Sequence, residues 1–293
     1  LVLQAATATT TDSLRNTVSF STAAALVGLP VWLVHWPWIG RSVRNDPQER
    51  ASTLRRLYLY AVLAGATLEM AGSAREALFS AFASIVSPTP GATADAIARP
   101  MPFLLIGVGV WLAHWWSTAT DRALIGERGG SATLRRWYLY GAAFVGLVLL
   151  LNGAQTVVES LWRIVAHAPG SIGPRPNQPA ADALVGLGLW FAHWAALPRR
   201  LPQTGHVENE TTSVLRSVYL FGALALAVIG SLLGLSQLLY YAVARAVGVD
   251  QPGGVSGDLL QAAAGPASIA IVYGSAWAYQ RQALGSQTSP LQP

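Results

Sequence analysis

Long apolar runs alternate with short polar breaks over most of this chain, and that alternation sets the solvent in which it folds. Runs bounded by charge or by Pro/Gly clusters lie near 17–39, 55–86, 97–117, 134–166, 180–197, 213–247 and 258–280. Each has about 18 residues or more, enough for a helix to cross a hydrocarbon core of ~30 Å at 1.5 Å per residue. Charged residues occupy 11% of the 293 positions and hydrophobic ones 52%, against roughly 25% charge in a soluble domain. The pattern predicts an all-α integral membrane protein with about seven transmembrane helices. The second, fourth and sixth runs are longer than a bilayer requires, so they must tilt, kink or project. Turns such as Ser87 to Gly91 and Gly248 to Gly257, and a longer one from Pro169 to Pro179, join the runs on one side.

A repeat organises these runs. Gly28-x3-Trp32-x2-His35-Trp36 recurs as Gly107-x3-Trp111-x2-His114-Trp115 and as Gly186-x3-Trp190-x2-His193-Trp194, with 79 residues between successive histidines. A second motif follows each copy: Leu54-Arg55-Arg56-Leu57-Tyr58-Leu59-Tyr60, Leu134-Arg135-Arg136-Trp137-Tyr138-Leu139-Tyr140, and the weaker Leu215-Arg216-Ser217-Val218-Tyr219-Leu220-Phe221. The last run carries a degenerate first motif, with Tyr273 and Trp277 at the tryptophan positions and Ala276 in the place of histidine. A period of two spans means successive copies point the same way, as parallel two-helix repeats. The division is 14–92, 93–171 and 172–250, each with two spans, then a one-span partial copy at 251–281. Residues 1–13 are expected as an extracytoplasmic tail or the end of a preceding helix, and 282–293 as a cytoplasmic tail.

Arginine placement predicts orientation. Thirteen of the 19 basic residues, all arginine, lie at the histidine ends of the spans or in the loops after them. Six lie toward the other side, so the His-Trp ends and the C-terminus are expected in the cytoplasm. The N-terminus is then outside, yet Leu1 opens no basic-then-apolar signal sequence. The repeat predicts that the native polypeptide begins before Leu1 with another arginine-tyrosine helix.

The alternation of a His-Trp span end with a Leu-Arg-Arg-x-Tyr-Leu-Tyr helix start resembles an uncharacterised family of bacterial repeat membrane proteins, known as a domain of unknown function. The resemblance runs from about Leu14 to Arg281. It implies the hairpin architecture and a bacterial inner membrane, and it transfers no catalytic residue.

The composition also excludes chemistry. These residues contain no lysine and no cysteine. Without lysine, residues 1–293 can supply no retinal or pyridoxal Schiff base and no phosphate-loop nucleotide site. Without cysteine they can supply no disulfide, thiolate nucleophile, cysteine-held cluster or covalently attached haem. No catalytic constellation, metal-ligand spacing or cofactor motif stands out, so the chain reads as a non-enzyme. The net charge of +5 sits in short loops between spans, which suits anionic lipid headgroups and not nucleic acid.

Within the first motif, Gly, Trp, His and the second Trp lie on one helical stripe. Glycine admits a neighbouring helix, and tryptophan suits the headgroup boundary. Trp32, Trp36, Trp111, Trp115, Trp190 and Trp194 are therefore read as interface anchors, together with Arg55, Arg56, Arg135, Arg136, Arg216, Tyr58, Tyr138 and Tyr219. Glu49 and Glu127 are positioned to pair with the arginines. A sharper reading makes His35, His114 and His193 axial ligands of a tetrapyrrole. Polar positions inside the spans are Glu69 and Glu76 in the second, Asn152, Gln155, Glu159 and Arg163 in the fourth, and Gln237 in the sixth. Arg175 and His206 read as solvated loop residues.

Three functions compete. The first is a structural or accessory subunit of a membrane assembly, with lipids and other membrane subunits or itself as partners. The second is a small-solute or proton-coupled transporter built on Glu69 and the polar stripes. The third is a tetrapyrrole-binding membrane protein.

Overall fold

The computed structural model describes residues 2–86, 96–126, 129–166, 177–196, 213–249 and 259–288, and among these no strand occurs. The helices are α1 (Val2–Asn45), α2 (Pro47–Ala51), α3 (Thr53–Val86), α4 (Met101–Ile125), α5 (Gly130–Val165), α6 (Asn177–Phe191), α7 (Val214–Ala246), α8 (Leu259–Ala262) and α9 (Ala264–Thr288). A π-helical turn, Ala192–Ala196, continues α6. Residues 2–13 are continuous with α1, and residues 282–288 continue α9. The Ser87 to Gly91 turn, Glu127, Arg128, Arg175, Arg199, Arg200 and His206 lie outside the described residues.

Local chemistry sets several boundaries. Asp46 Oδ1 accepts from the Gln48 N–H at 2.8 Å, capping α2 with Pro47 at its first position. α4 stops at Gly126, whose φ of 71° is a left-handed conformation that a Cβ would strain.

Among the described residues four helices are long and apolar enough to cross a membrane: Thr53–Ile85, Ala96–Ile125, Gly130–Val165 and Val214–Ala246. The described parts of the expected spans near 17–39, 180–197 and 258–280 fall on α1, on α6 with its π-helical turn, and on α8 and α9, which are helical without reaching that combination of length and apolarity. Only 11% of the most apolar window of Ala96–Ile125 is buried within the chain. Most of that surface therefore needs an apolar medium or another protein to cover it.

Packing repeats along the chain. The broadest contacts join α3 to α4, α5 to α6 and α7 to α9; α3 also packs on α5 and α6, and α5 on α7 and α9. The helices α3 and α5, which open with the arginine-tyrosine motif, thus each cover the following His-Trp helix and both helices of the next hairpin, and α7 covers α9. The packed unit runs from an Arg-Tyr helix to a His-Trp helix, one helix out of phase with the division at 14–92, 93–171 and 172–250.

Glycines set how closely the pairs approach. A Cβ on Gly153 would lie 2.5 Å from the Pro179 carbonyl oxygen, and one on Gly146 would lie 2.5 Å from the Trp190 nitrogen. A Cβ on Gly186 would run into the backbone of Leu150 and Gly146. The α5–α6 pair is therefore in backbone-to-backbone contact, as small residues allow between membrane helices. Gly107 meets the flexible Met70 side chain instead, and Gly28 faces open space, so the three motif glycines are not equivalent.

The same contacts correct the reading of the last motif. Gly153 faces Pro179 and Ala183 as Gly234 faces Pro266 and Ala270. That offset carries Trp190 to Trp277, His193 to Gln280 and Gly186 to Tyr273. Tyr273 in the glycine's place is accommodated because Gly230 lies opposite, where a Cβ would be 2.7 Å from its Cε1. Gln280, and not Ala276, therefore occupies the fourth histidine position. A slip of one helical turn keeps the same face, so the sequence pattern alone did not separate the two.

The two glycines of α6 should respond oppositely to the same change. Gly188 faces open space, so Gly188→Ala should hold or raise stability by up to ~1 kcal/mol through helix propensity. Gly186→Ala should cost about 1–3 kcal/mol by forcing two backbones apart. Unfolding titrations in mixed detergent check this, and equal effects would contradict the packing.

Candidate functional site

Tyr138 on α5 sits at the centre of the molecule's polar chemistry. It is 5% exposed, and its hydroxyl has three partners: Trp111 Nε1 of α4 at 2.8 Å, His193 Nε2 at 2.9 Å and Thr67 Oγ1 of α3 at 3.0 Å. A phenol has one proton to give and two lone pairs to receive with, so the group is fully satisfied. The indole can only donate. His193 Nδ1 faces the Leu189 carbonyl at 2.9 Å and so carries a proton. In the neutral ring Nε2 then accepts from the phenol, and Thr67 donates the remaining bond. One oxygen thereby joins four helical segments.

The arrangement recurs with variations. Tyr58 OH lies 3.4 Å from His114 Nε2, and His114 Nδ1 donates to the Val110 carbonyl at 2.7 Å. Trp190 Nε1 donates to Tyr219 OH at 2.9 Å. The amide of Gln280, 1% exposed, is buried near that same hydroxyl, but neither its Nε2 nor its Oε1 makes a hydrogen bond. Rings fill the space between these centres. Tyr60 packs on Tyr138 at 6.0 Å, Tyr140 stacks on Tyr219 at 5.8 Å, and Trp194 approaches Tyr219 at 4.7 Å while donating to Tyr279 OH. Trp36 of α1 rests on the His114 ring at 4.9 Å.

Several residues read as lipid-facing anchors therefore turn inward. Tyr138 and Tyr219 are buried, as are the guanidinium-bearing Arg56 and Arg135. Trp111 and Trp190 spend their N–H groups on tyrosines of the next hairpin. Tyr58 and Trp32 remain well exposed, and Arg216 lies over the Trp194 ring at 5.2 Å, as Arg122 does over Trp115 at 5.5 Å. The acid that meets the first arginines is Asp121, which binds Arg55 Nε at 3.1 Å and lies 3.6 Å from Arg50 Nε. Glu49 is exposed on α2.

The intramembrane polar residues are scattered. Arg163 pairs with Glu159 at 2.7 Å, Gln155 donates to the same carboxylate, Asn152 donates to the Val148 carbonyl, and Gln237 donates to Tyr241 OH. Arg75 of α3 pairs with Asp182 of α6. Glu69, which accepts from Ser73 at 3.2 Å, shares a cavity of about 820 Å³ with Thr22, Glu76, Arg99 and Phe103. Among the described residues no cluster of three His, Asp or Glu has the arrangement to hold a metal.

The family described as Domain of unknown function (DUF5671) matches three times, over residues 1–90, 76–183 and 175–275. The chain belongs to this family. Its three DUF5671 matches follow the division at 14–92, 93–171 and 172–250, a His-Trp helix followed by an Arg-Tyr helix, one helix out of phase with the packed pairs. No curated protein and no solved structure matches the chain.

Asp121, Asp182, Thr67 and Gln280 are the participants that the motifs did not single out. Asp121 had a signal, since it lies two turns beyond His114 on the same stripe. Thr67 had none, because the other copies carry no hydroxyl there.

Gln280 allows the register of the last motif to be checked. Gln280→His should hold or raise stability by up to about 1 kcal/mol by giving the Tyr219 hydroxyl an imidazole partner, whereas Gln280→Leu should change it little, because the amide makes no hydrogen bond of its own. Ala276→His should gain nothing. Unfolding midpoints of the three variants distinguish this register from the one that places Ala276 in the histidine position.

Proposed function

We propose that the protein is a non-enzymatic, seven-span subunit that gives structure to a membrane assembly in the bacterial inner membrane, with its His-Trp ends and C-terminus in the cytoplasm. The observation that carries this reading is the internal use of the motif's polar atoms. Both nitrogens of His193 are engaged by Leu189 and Tyr138, and both of His114 face Val110 and Tyr58. A tetrapyrrole iron or magnesium would have to displace a tyrosine to reach either ring. What remains outward is apolar: Trp38, Trp116, Trp137 and Phe221 are each more than half exposed. Such a surface suits lipid and neighbouring membrane helices.

The cavity holding Glu69, Glu76 and Arg99 favours one second reading, a small-solute or proton-coupled transporter. Charges facing an intramembrane cavity are the usual mark of a pathway. The cavity belongs to the first hairpin and α1, and the corresponding positions of the later hairpins carry different side chains.

Residues 1–293 carry no cysteine, so single cysteines placed among them report topology. A membrane-impermeant maleimide should label Ala51→Cys only after cells are permeabilised, and should label Val249→Cys in intact cells. The protein, extracted in mild detergent, should migrate colourless and in fixed ratio with other polypeptides. Reversed labelling overturns the orientation. A solute flux abolished by Glu69→Gln in folded protein moves the function to the cavity.

A further inference from the structure

Each hairpin covers its His-Trp stripe with the Arg-Tyr helix of the same hairpin. Met70 of α3 lies over Gly107 while Tyr58 meets His114; Leu150 of α5 lies over Gly186 while Tyr138 meets His193. In both cases the covering residue stands twelve positions after the tyrosine on its helix. The α1 stripe has the same residues without that cover. Gly28 has nothing within 4 Å, His35 is exposed, and no tyrosine among the described residues bonds to it.

The His35 ring is nevertheless set as in the other copies. Its Nδ1 donates to the Val31 carbonyl at 2.8 Å, matching His114 on Val110 at 2.7 Å and His193 on Leu189 at 2.9 Å. Nε2 is therefore presented as an acceptor where the other hairpins supply a phenol. One flank of the stripe is already engaged, through Trp36, the residue after His35, on the His114 ring. Around the open stripe Leu26, Val27, Val34 and Trp38 stand more than 60% exposed.

We propose that the Gly28–His35 face of α1 is a docking surface for one further membrane helix of the Arg-Tyr type. That helix carries arginine two or three residues before a tyrosine that donates to His35 Nε2, and an apolar residue twelve positions later that lies over Gly28. The face continues an interface built twice within the chain, which specifies the occupant's chemistry. The helices α3, α5 and α7 are not candidates, since Tyr58, Tyr138 and Tyr219 already face His114, His193 and Gln280. The inference rests on the membrane and stacked-hairpin reading, and it gives that reading a specific partner.

A photoreactive benzoylphenylalanine placed at Val31, exposed beside the stripe, tests it in native membranes while leaving the space over Gly28 free. The same probe at Gly109, which faces open space, reports lipid contact. The expected result is a protein adduct at 31, several-fold above that at 109. Mass spectrometry should place it on a peptide with arginine shortly before tyrosine, outside residues 53–288. Adducts to lipid alone, to a helix without that pattern, or to α3, α5 or α7 of a second copy would overturn the proposal. If any of these occurs while the protein still migrates with fixed partners, the docking face fails and the structural function stands.

Discussion

A phenol hydroxyl placed among apolar helices must satisfy its hydrogen bonds internally, and the Tyr138 oxygen does so with groups from three other helical segments. In water such a bond exchanges for solvent at little net gain. In hydrocarbon no solvent competes, and an unmade bond costs the desolvation of each group left behind. Measured bonds between membrane helices average below about 1 kcal/mol, so their value here lies in specificity as much as in energy. A helix that slid by one turn would leave an indole, an imidazole and a threonine hydroxyl without partners. The junction therefore sets the depth of α3, α4, α5 and α6 relative to one another.

The rest of the architecture follows from repeating that junction. Glycine contacts at Gly146, Gly153 and Gly186 bring α5 and α6 close enough for His193 to reach Tyr138. In the last hairpin the device is rebuilt with different side chains. Tyr273 stands for Gly186 with Gly230 opposite, and Gln280 stands for His193 against Tyr219. The buried amide makes no hydrogen bond of its own, so that position is held by packing and by the Trp190–Tyr219 bond, without titratable chemistry. A role requiring protonation or metal binding by every copy would not survive that substitution; a role in fastening hairpins does.

Hydropathy and the repeated motif made the helices legible from the sequence, because apolar length and fixed spacing are properties of the chain itself. Orientation of side chains was less legible. Tyrosine and tryptophan near span ends satisfy the pattern of a lipid-facing anchor and of an interhelical hydrogen bond equally well, and only packing shows that Tyr138 and Tyr219 face inward. The arginines illustrate the same limit. Arg55 and Arg56 are adjacent in the motif, yet Arg55 meets Asp121 and Arg56 is buried among helices. Asp121, from the far end of α4, supplies a contact that no local pattern specifies. The last motif slipped by one turn because Tyr273 and Trp277 mimic the spacing of Trp32 and Trp36, and the backbone contact at Gly234 was needed to align it.

The fastening role of the tyrosine–histidine junction is tested most directly by a double-mutant cycle between Tyr138→Phe and His193→Ala, with unfolding free energies measured in mixed detergent. If the hydroxyl and imidazole hold two hairpin helices together, the two losses should overlap, giving a coupling energy of about 1 kcal/mol. Losses that add within about 0.3–0.5 kcal/mol would show that the two groups act independently and would contradict the account.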